Sequence, residues 1–423
     1  MKLRLCAALL ALALLGGCSA AAPTPTTPTV PEPTEPDAAG VTDIALSDEG
    51  VTCASDAVYA DSGEGAYTIV HITAPGTYRV TGTLSAGQLL VNLGEEAEAD
   101  PAARVTLLLD QAQLGCAGAP AILFSRVYEG AADEAGAVLA LADGSFNLVD
   151  GTVVSQMSMR LEGDGSLTVN AAGEGLSAAR KLTLDGGNLT VAAQGDGIRS
   201  GSALTVNGGF LSVAGGRSGE GDGLRSGGTL ALRGGTVFAS GSETSGSGLA
   251  ADGGISLDGS TVVAAGAHND AASNDSLQQF MELHFAAPVP EGSELCILNG
   301  ETALYADQVT RAFSSLTFSA PELETGVAYT VTVDGVVQQH GAAELSFGKP
   351  ALDPPPTEHR QPGEFEIPEP PGGMNPPVEA VENVTPSTAD DSARPAAQQP
   401  EAASRDFLLT ETVHSFSNVR AAE

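Results

Sequence analysis

The sequence predicts an all-β protein whose central body is a parallel β-helix, and three observations carry that prediction. Glycine-punctuated segments recur at regular spacing, a second set of segments keeps the same spacing, and short runs inside each segment alternate apolar with small polar residues. The first set is Leu182–Val191, Leu204–Val213, Leu230–Ala239 and Ile255–Ala264, in which Gly187, Gly209, Gly235 and Ser260 step by 22, 26 and 25 residues. The second set, Gly175-Leu176, Gly197-Ile198, Gly223-Leu224 and Gly248-Leu249, repeats those steps. Units of this kind bury their apolar faces only by stacking on one another. Leu182 and Leu184 alternate with Thr183, and Leu189 and Val191 with Thr190, which is the period of a strand. Each unit then offers about five apolar side chains to a shared interior, with neighbouring units ~4.8 Å apart.

Composition fits a thin, repetitive β architecture. The 423 residues include 52 glycines and no tryptophan, and aromatics make up only 4%. Helices are disfavoured because glycine recurs every few residues and no long stretch has a 3.6-residue period. A calcium-binding nonapeptide roll is the nearer rival, since Gly219–Gly223 reads Gly-Glu-Gly-Asp-Gly, but no nine-residue period continues beyond it. The formal net charge of −35 argues against nucleic acid, whose phosphates call for an excess of Lys and Arg. It suits solubility outside the cell and an affinity for cations.

Taken in chain order, Met1–Arg4 is a basic start, Leu5–Leu15 an apolar run too short to span a bilayer, and Leu15-Gly-Gly-Cys18 a lipobox-like end. Residues 1–18 are therefore expected to be a lipoprotein signal peptide. Lipidation is expected at Cys18, which would place the mature chain on the extracellular side of a bacterial cell membrane. Residues 19–40, rich in Pro, Thr, Ala and Glu, are expected to be a disordered tether. The β-helix domain is assigned to 41–280, with the looser early repeats beginning near 65. Leu161–Val169 is a degenerate copy of the Gly-Gly unit. After Gly266 the repeat ends in a polar loop, His268–Asp275. Residues 281–348 are expected to form a β cap that closes the last sheet edge. Residues 349–405 are expected to be a Pro-rich disordered linker. The apolar Phe407–Phe416 within 406–423 is expected to be a strand returning to the cap, or else a tail. Cys53, Cys116 and Cys296 read as small buried hydrophobes, with one disulfide left open.

The residues from Tyr67 to Gly348 resemble a bacterial family of calcium-binding β-helix proteins that bind carbohydrate and are similar in fold to pectate lyases. The likeness rests on Gly76–Leu84, Val105–Asp110, the two glycine ladders, Phe313–Leu323 and Gly326–Val331 taken in order; no single motif among them is specific. It implies a right-handed parallel β-helix, bound calcium, and affinity for acidic or crystalline glycans such as polygalacturonate or cellulose.

The repeated hexapeptides Gly195-Asp-Gly-Ile-Arg-Ser200 and Gly221-Asp-Gly-Leu-Arg-Ser226, preceded by Gly173-Glu-Gly-Leu-Ser177, supply the candidate chemistry. Stacking would align Glu174, Asp196 and Asp222, with Glu220 beside them. Calcium, which takes six to eight oxygens, would relieve their repulsion. The same acids read equally as turn residues bonded to their own backbone. Arg199 and Arg225 read either as grips for sugar carboxylates or as surface ion pairs with Asp196 and Asp222. Phe238, with Phe210, reads as a platform for sugar rings or as a gap filler at a corner. Thr183, Thr205, Ala231 and Ser256 read as a flat column of small residues on which a glycan could lie.

The function expected from this is a surface lipoprotein that binds acidic or plant-type polysaccharide through a calcium-loaded β-helix and is not an enzyme. The alternatives are an adhesive solenoid that binds no sugar, and a polysaccharide lyase in which Arg199 or Arg225 is the base. The six scattered histidines support no Ser-His-Asp order.

Overall fold

A computed structural model describes residues 40–63, 67–131, 134–273, 276–341, 403–409 and 415–422. The expected signal peptide with Cys18, nearly all of the tether, and most of the Pro-rich linker lie outside the described residues.

The described chain is all-β, with a single three-residue 3-10 turn at Ala97–Ala99. Its body is made of rungs of three short strands. In one rung these are Leu176–Ala178, Leu182–Leu184 and Asn188–Ala193; in the next they are Ile198–Ser200, Ala203–Val206 and Phe210–Ala214. Each strand pairs in parallel with its counterpart one rung on. Leu176 lies opposite Ile198, Leu182 opposite Leu204, and Leu189 opposite Leu211. The same three ladders continue through Leu224, Leu230 and Val237 to Leu249, Ile255 and Val262. The sequence spacing of the glycine segments is thus the pairing register. Parallel strands evenly buried on their inner side need an apolar residue at alternate positions, and Leu176, Leu182, Leu184, Leu189 and Val191 are all at most 1% exposed.

Earlier rungs are looser because two strands serve two ladders at once. Gly76–Leu84 and Val105–Gly115 pair along most of their length, but the register slips between Val80 and Gly82. Gln111 takes up the extra residue with a positive φ of 60°, which bends the strand from one face to the next. In the regular rungs a glycine makes the corresponding corner. Gly209 has φ +88°, and a Cβ there would lie 2.5 Å from the carbonyl oxygen of Gly187 on the rung before. Only glycine permits both the backbone angle and that approach.

Both ends of the stack are covered. At the start, Val41–Ser47 pairs antiparallel with Gly50–Cys53, and Val58–Ser62 antiparallel with Thr68–Ile72. At the finish the polar loop after Gly266 lends side chains to amides that have no further rung to bond. Asn269 Oδ1 accepts from Gly248 N (2.7 Å), Asp270 Oδ2 from Ala251 N (2.8 Å), and Gln278 Oε1 from Gly259 N (2.7 Å). The third ladder ends differently. Its last strand, Thr261–Gly266, pairs antiparallel with Phe313–Ser319, which also pairs with Phe280–Val289. This C-terminal module has its own core of Met281, Leu283, Leu316, Phe318, Tyr329 and Val331. Phe407–Leu408 pairs with Ala328–Tyr329, and Ser415–Ala421 runs parallel to Phe280–Val289. Closing both ends removes the template that a bare sheet edge would offer to other chains. Cys53, Cys116 and Cys296 are all free thiols, and only Cys116 is buried.

Candidate functional site

The acidic residues that the sequence aligns do stack at one corner of the rungs, but their oxygens are committed to the fold. Asp196 accepts the backbone N–H of Asp222 through Oδ1 at 2.9 Å, and Asp222 accepts that of Ser247 in the same way at 2.7 Å. The main-chain carbonyl of Asp196 meanwhile accepts from Gly175 N (3.0 Å), and that of Asp222 from Gly197 N (2.8 Å). Each Asp therefore staples three consecutive rungs, one through its carbonyl and one through its side chain. The bond runs to the next rung, not to the residue's own turn. A corner glycine on either side keeps the chain tight enough for a short Asp to reach.

The second oxygens face guanidinium groups. Arg199 sits 2.8 Å from Glu174 and 3.6 Å from Asp196 Oδ2; Arg225 sits 2.9 Å from Asp252 and 3.6 Å from Asp222 Oδ2. Asp252 is a partner that the spacing of the hexapeptides did not indicate. Partial burial pushes the Asp222 carboxyl up from its ordinary value, against the opposing pull of the Ser247 N–H and with a further upward push from Asp196. Glu220 is exposed beside this corner. Among the described residues no three His, Cys, Asp or Glu side chains come together in a way that could hold a metal ion. The donor set Glu174, Asp196, Glu220 and Asp222 does not fit calcium as arranged, because amide hydrogens take Oδ1 of Asp196 and of Asp222, Arg199 takes an oxygen of Glu174, and both Asp Oδ2 atoms face arginines.

The staple can be tested without reference to any ligand. Asp222→Asn keeps an acceptor for Ser247 N–H, whereas Asp222→Ala leaves that amide without a partner at a cost of about 2 kcal/mol. Urea unfolding is expected to show the alanine variant destabilised by that amount and the asparagine variant close to the parent. Equal losses in both would indicate that charge, rather than hydrogen bonding, is what the position supplies.

The column Thr183, Thr205, Ala231 and Ser256 is in register, yet Thr205 and Ala231 are buried. That column is not a free surface for a glycan.

The outward side of the third ladder is such a surface. Its first column runs Phe146, Ser166, Asn188, Phe210, Thr236, and its second runs Leu148, Thr168, Thr190, Ser212, Phe238. A third runs Asp150, Asn170, Ala192, Ala214, Ser240 along the same face. Period-two alternation places all of them outward while Leu167, Leu189, Leu211 and Val237 point in. Phe146 is 72% exposed and Phe210 41%. The Phe210 and Phe238 rings lie 5.7 Å apart at a tilt of 54°, and Tyr305 of the C-terminal module lies 6.4 Å beyond Phe238. Burial, then Asp307 and Cys296, push the Tyr305 hydroxyl up to about 12, so it stays a neutral donor. Between the aromatics stand hydroxyls and amides, and Asp150 is the one charged residue in the three columns. At the corner beside the early rungs a depression of about 900 Å³ is lined in part by Gln113, Asp150, Asn170 and Glu174. Asn170 donates to Asp150 Oδ1 across it at 2.8 Å.

Of the aromatic residues, Phe210 and Phe238 are visible in the repeats. Phe146 is not, because its rung precedes the clear glycine spacing; only the register Phe146–Ser166–Asn188–Phe210 discloses it. Tyr305 belongs to a module without any repeat, and no sequence period leads to it. Arg199 and Arg225 lie on a different ladder from this face.

Stacked parallel rungs with a partly aromatic, nearly uncharged outer face make up this all-β body. The chain belongs to the family described as carbohydrate-binding domain-containing protein, whose model matches residues 66–309. A solved structure described as a polysaccharide lyase-like protein from C. thermocellum, a gadolinium derivative, is similar at 21% identity. It covers 52% of this chain and 92% of that one, with a TM-score of 0.36. No curated protein matches.

Proposed function

We propose that this chain is a polysaccharide-binding protein that lays a neutral glycan along the outer face of the third ladder. Phe146, Phe210 and Phe238 serve as platforms for sugar rings. The observation that carries the reading is the coincidence, on one exposed sheet face, of three aromatic rings with a lawn of Ser, Thr and Asn and almost no charge. Sugar rings present apolar C–H faces and a rim of hydroxyls, and such a surface answers both. Membership of a carbohydrate-binding family supports it. The rungs are read as a parallel β-helix, right-handed as parallel crossovers generally are, and Cys18 as the point of lipid attachment outside the bacterial membrane.

This reading departs from an acidic, calcium-bridged ligand. The arginines expected to grip carboxylates are paired with Glu174, Asp196, Asp222 and Asp252, and a chain of net charge −35 repels a polyanion. Binding rather than cleavage is proposed because the same pairing leaves neither arginine placed as a base. Calorimetry with hydroxyethylcellulose, xyloglucan and galactomannan on one side, and polygalacturonate and alginate on the other, tests it. Saturable binding of a neutral polymer, unchanged by EDTA or added salt and releasing no new chain ends, is the expected outcome. Binding restricted to the acidic polymers and abolished by EDTA would overturn it.

A further inference from the structure

Among the described residues the aromatic face is open at its Phe146 edge and walled at the Tyr305 edge, and we infer that it captures the terminus of a glycan chain rather than its interior. The inference rests on the polysaccharide-binding reading above. Along the second outward column Leu148 and Thr168 are half-buried, Thr190 is exposed, Ser212 and Phe238 are half-buried again, and Val263 on the last rung is buried at 7%. What covers Val263 is the C-terminal module, since Val263 lies opposite Phe318 in the antiparallel pairing of Thr261–Gly266 with Phe313–Ser319. The Tyr305 ring stands 6.1 Å from Phe318 and 6.4 Å from Phe238, so it rises where the line of platforms stops.

The wall is bolted down. Arg311 reaches back from the module to donate to the carbonyl oxygens of Gly215 and Gly216, at the end of the rung that carries Phe210. Both carbonyls belong to corner glycines whose backbone is fixed by neighbouring rungs, so the module is not free to swing off the face. The pocket beside Phe238, Tyr305 and Arg311, partly open to solvent, has a volume of about 250 Å³. A terminal sugar ring resting in it would abut Tyr305. In the other direction, among the described residues, Phe146 is 72% exposed, and the larger depression by Gln113 and Asp150 flanks the early rungs. A polymer lying along the stack axis would therefore enter from the Phe146 side and stop at Tyr305.

A chain-end site is counted by ends, not by mass. Whichever neutral polymer of the calorimetric panel binds is partially hydrolysed into two length fractions and titrated at equal mass concentration against the full chain. Protein bound per gram is expected to fall in proportion to chain length, halving when the length doubles. Stoichiometry per gram that is independent of length would overturn chain-end capture while leaving polysaccharide binding intact. No binding by any neutral polymer would overturn both. A second measurement uses Tyr305→Ala, which trims the wall at a residue outside the rungs. It is expected to raise the stoichiometry on the longer fraction toward the mass-limited value as interior segments gain access. An unchanged stoichiometry in a variant that melts like the parent would count against the wall.

Discussion

The Phe146→Ala/Phe210→Ala double variant is expected to bind the neutral polysaccharide at least about 30-fold more weakly than the parent, which corresponds to roughly 2 kcal/mol. The size follows from the way a few aromatic anchors carry most of an interface's energy while surrounding polar contacts set orientation. These two positions give a clean test because neither ring belongs to either hydrophobic core, and they are 72% and 41% exposed. Truncation removes little burial from the fold, so thermal melting should stay close to the parent. Phe238 is less suitable, since it packs against the core of the C-terminal module and its loss would confound binding with stability. A matched variant at the acidic corner, Arg199→Gln/Arg225→Gln, is expected to bind like the parent. If it were the arginine variant that lost binding, the site would lie on the other ladder.

The second large effect is on stability and is set by pH. Glu282 lies on Phe280–Val289 where the C-terminal module meets the loop that caps the last rung. Its side chain is only 5% exposed overall, and its Oε1 accepts from Ala272 N at 2.9 Å. Burial pushes its carboxyl from 4.5 up to about 7, with the Ala272 N–H pulling the other way. Between those values the folded chain holds a proton that the unfolded chain has released. Stability therefore falls as pH rises through that window, by on the order of 3 kcal/mol between pH 4.5 and 7, and stays lower above it. Glu282→Gln removes the titration. Its stability advantage over the parent is expected to grow by that amount between pH 4.5 and pH 8. His284, two positions along the strand, is shifted downward by burial and acts in the opposite sense, favouring the fold as pH rises. Asp222, shifted upward, adds to the trend of Glu282. Both are common to parent and variant, so the difference between the two urea curves isolates Glu282. Parallel pH profiles would mean that Glu282 does not carry the dependence.

The architecture was legible because stacking imposes one register on every rung. Any chain that repeats Leu-x-Leu, Gly-Gly and Leu-x-Val at 22 to 26 residues has few other ways to bury those side chains. The Asp196 and Asp222 alignment followed from the same register. Its chemistry did not, because the reach of an Asp carboxylate to the next rung's amide depends on corner geometry that spacing alone does not encode. Repetition told where the acids are, not which hydrogens they face. The proposed binding face was half visible. Phe210 and Phe238 sit inside clear repeats, whereas Phe146 sits in an irregular rung and Tyr305 arrives from a module folded on separate principles. Glu282 gave no signal either, since an isolated Glu in an apolar strand becomes informative only once two modules close over it.

A crystal structure of the chain with an oligosaccharide of the bound polymer tests the central claim most directly. Sugar rings are expected over Phe146, Phe210 and Phe238, with the terminal ring against Tyr305 and the Asp196–Asp222 corner unchanged. Sugar density along Arg199 and Arg225, or a cation seated between Asp196 and Asp222 with their hydrogen bonds from backbone N–H groups broken, would contradict it.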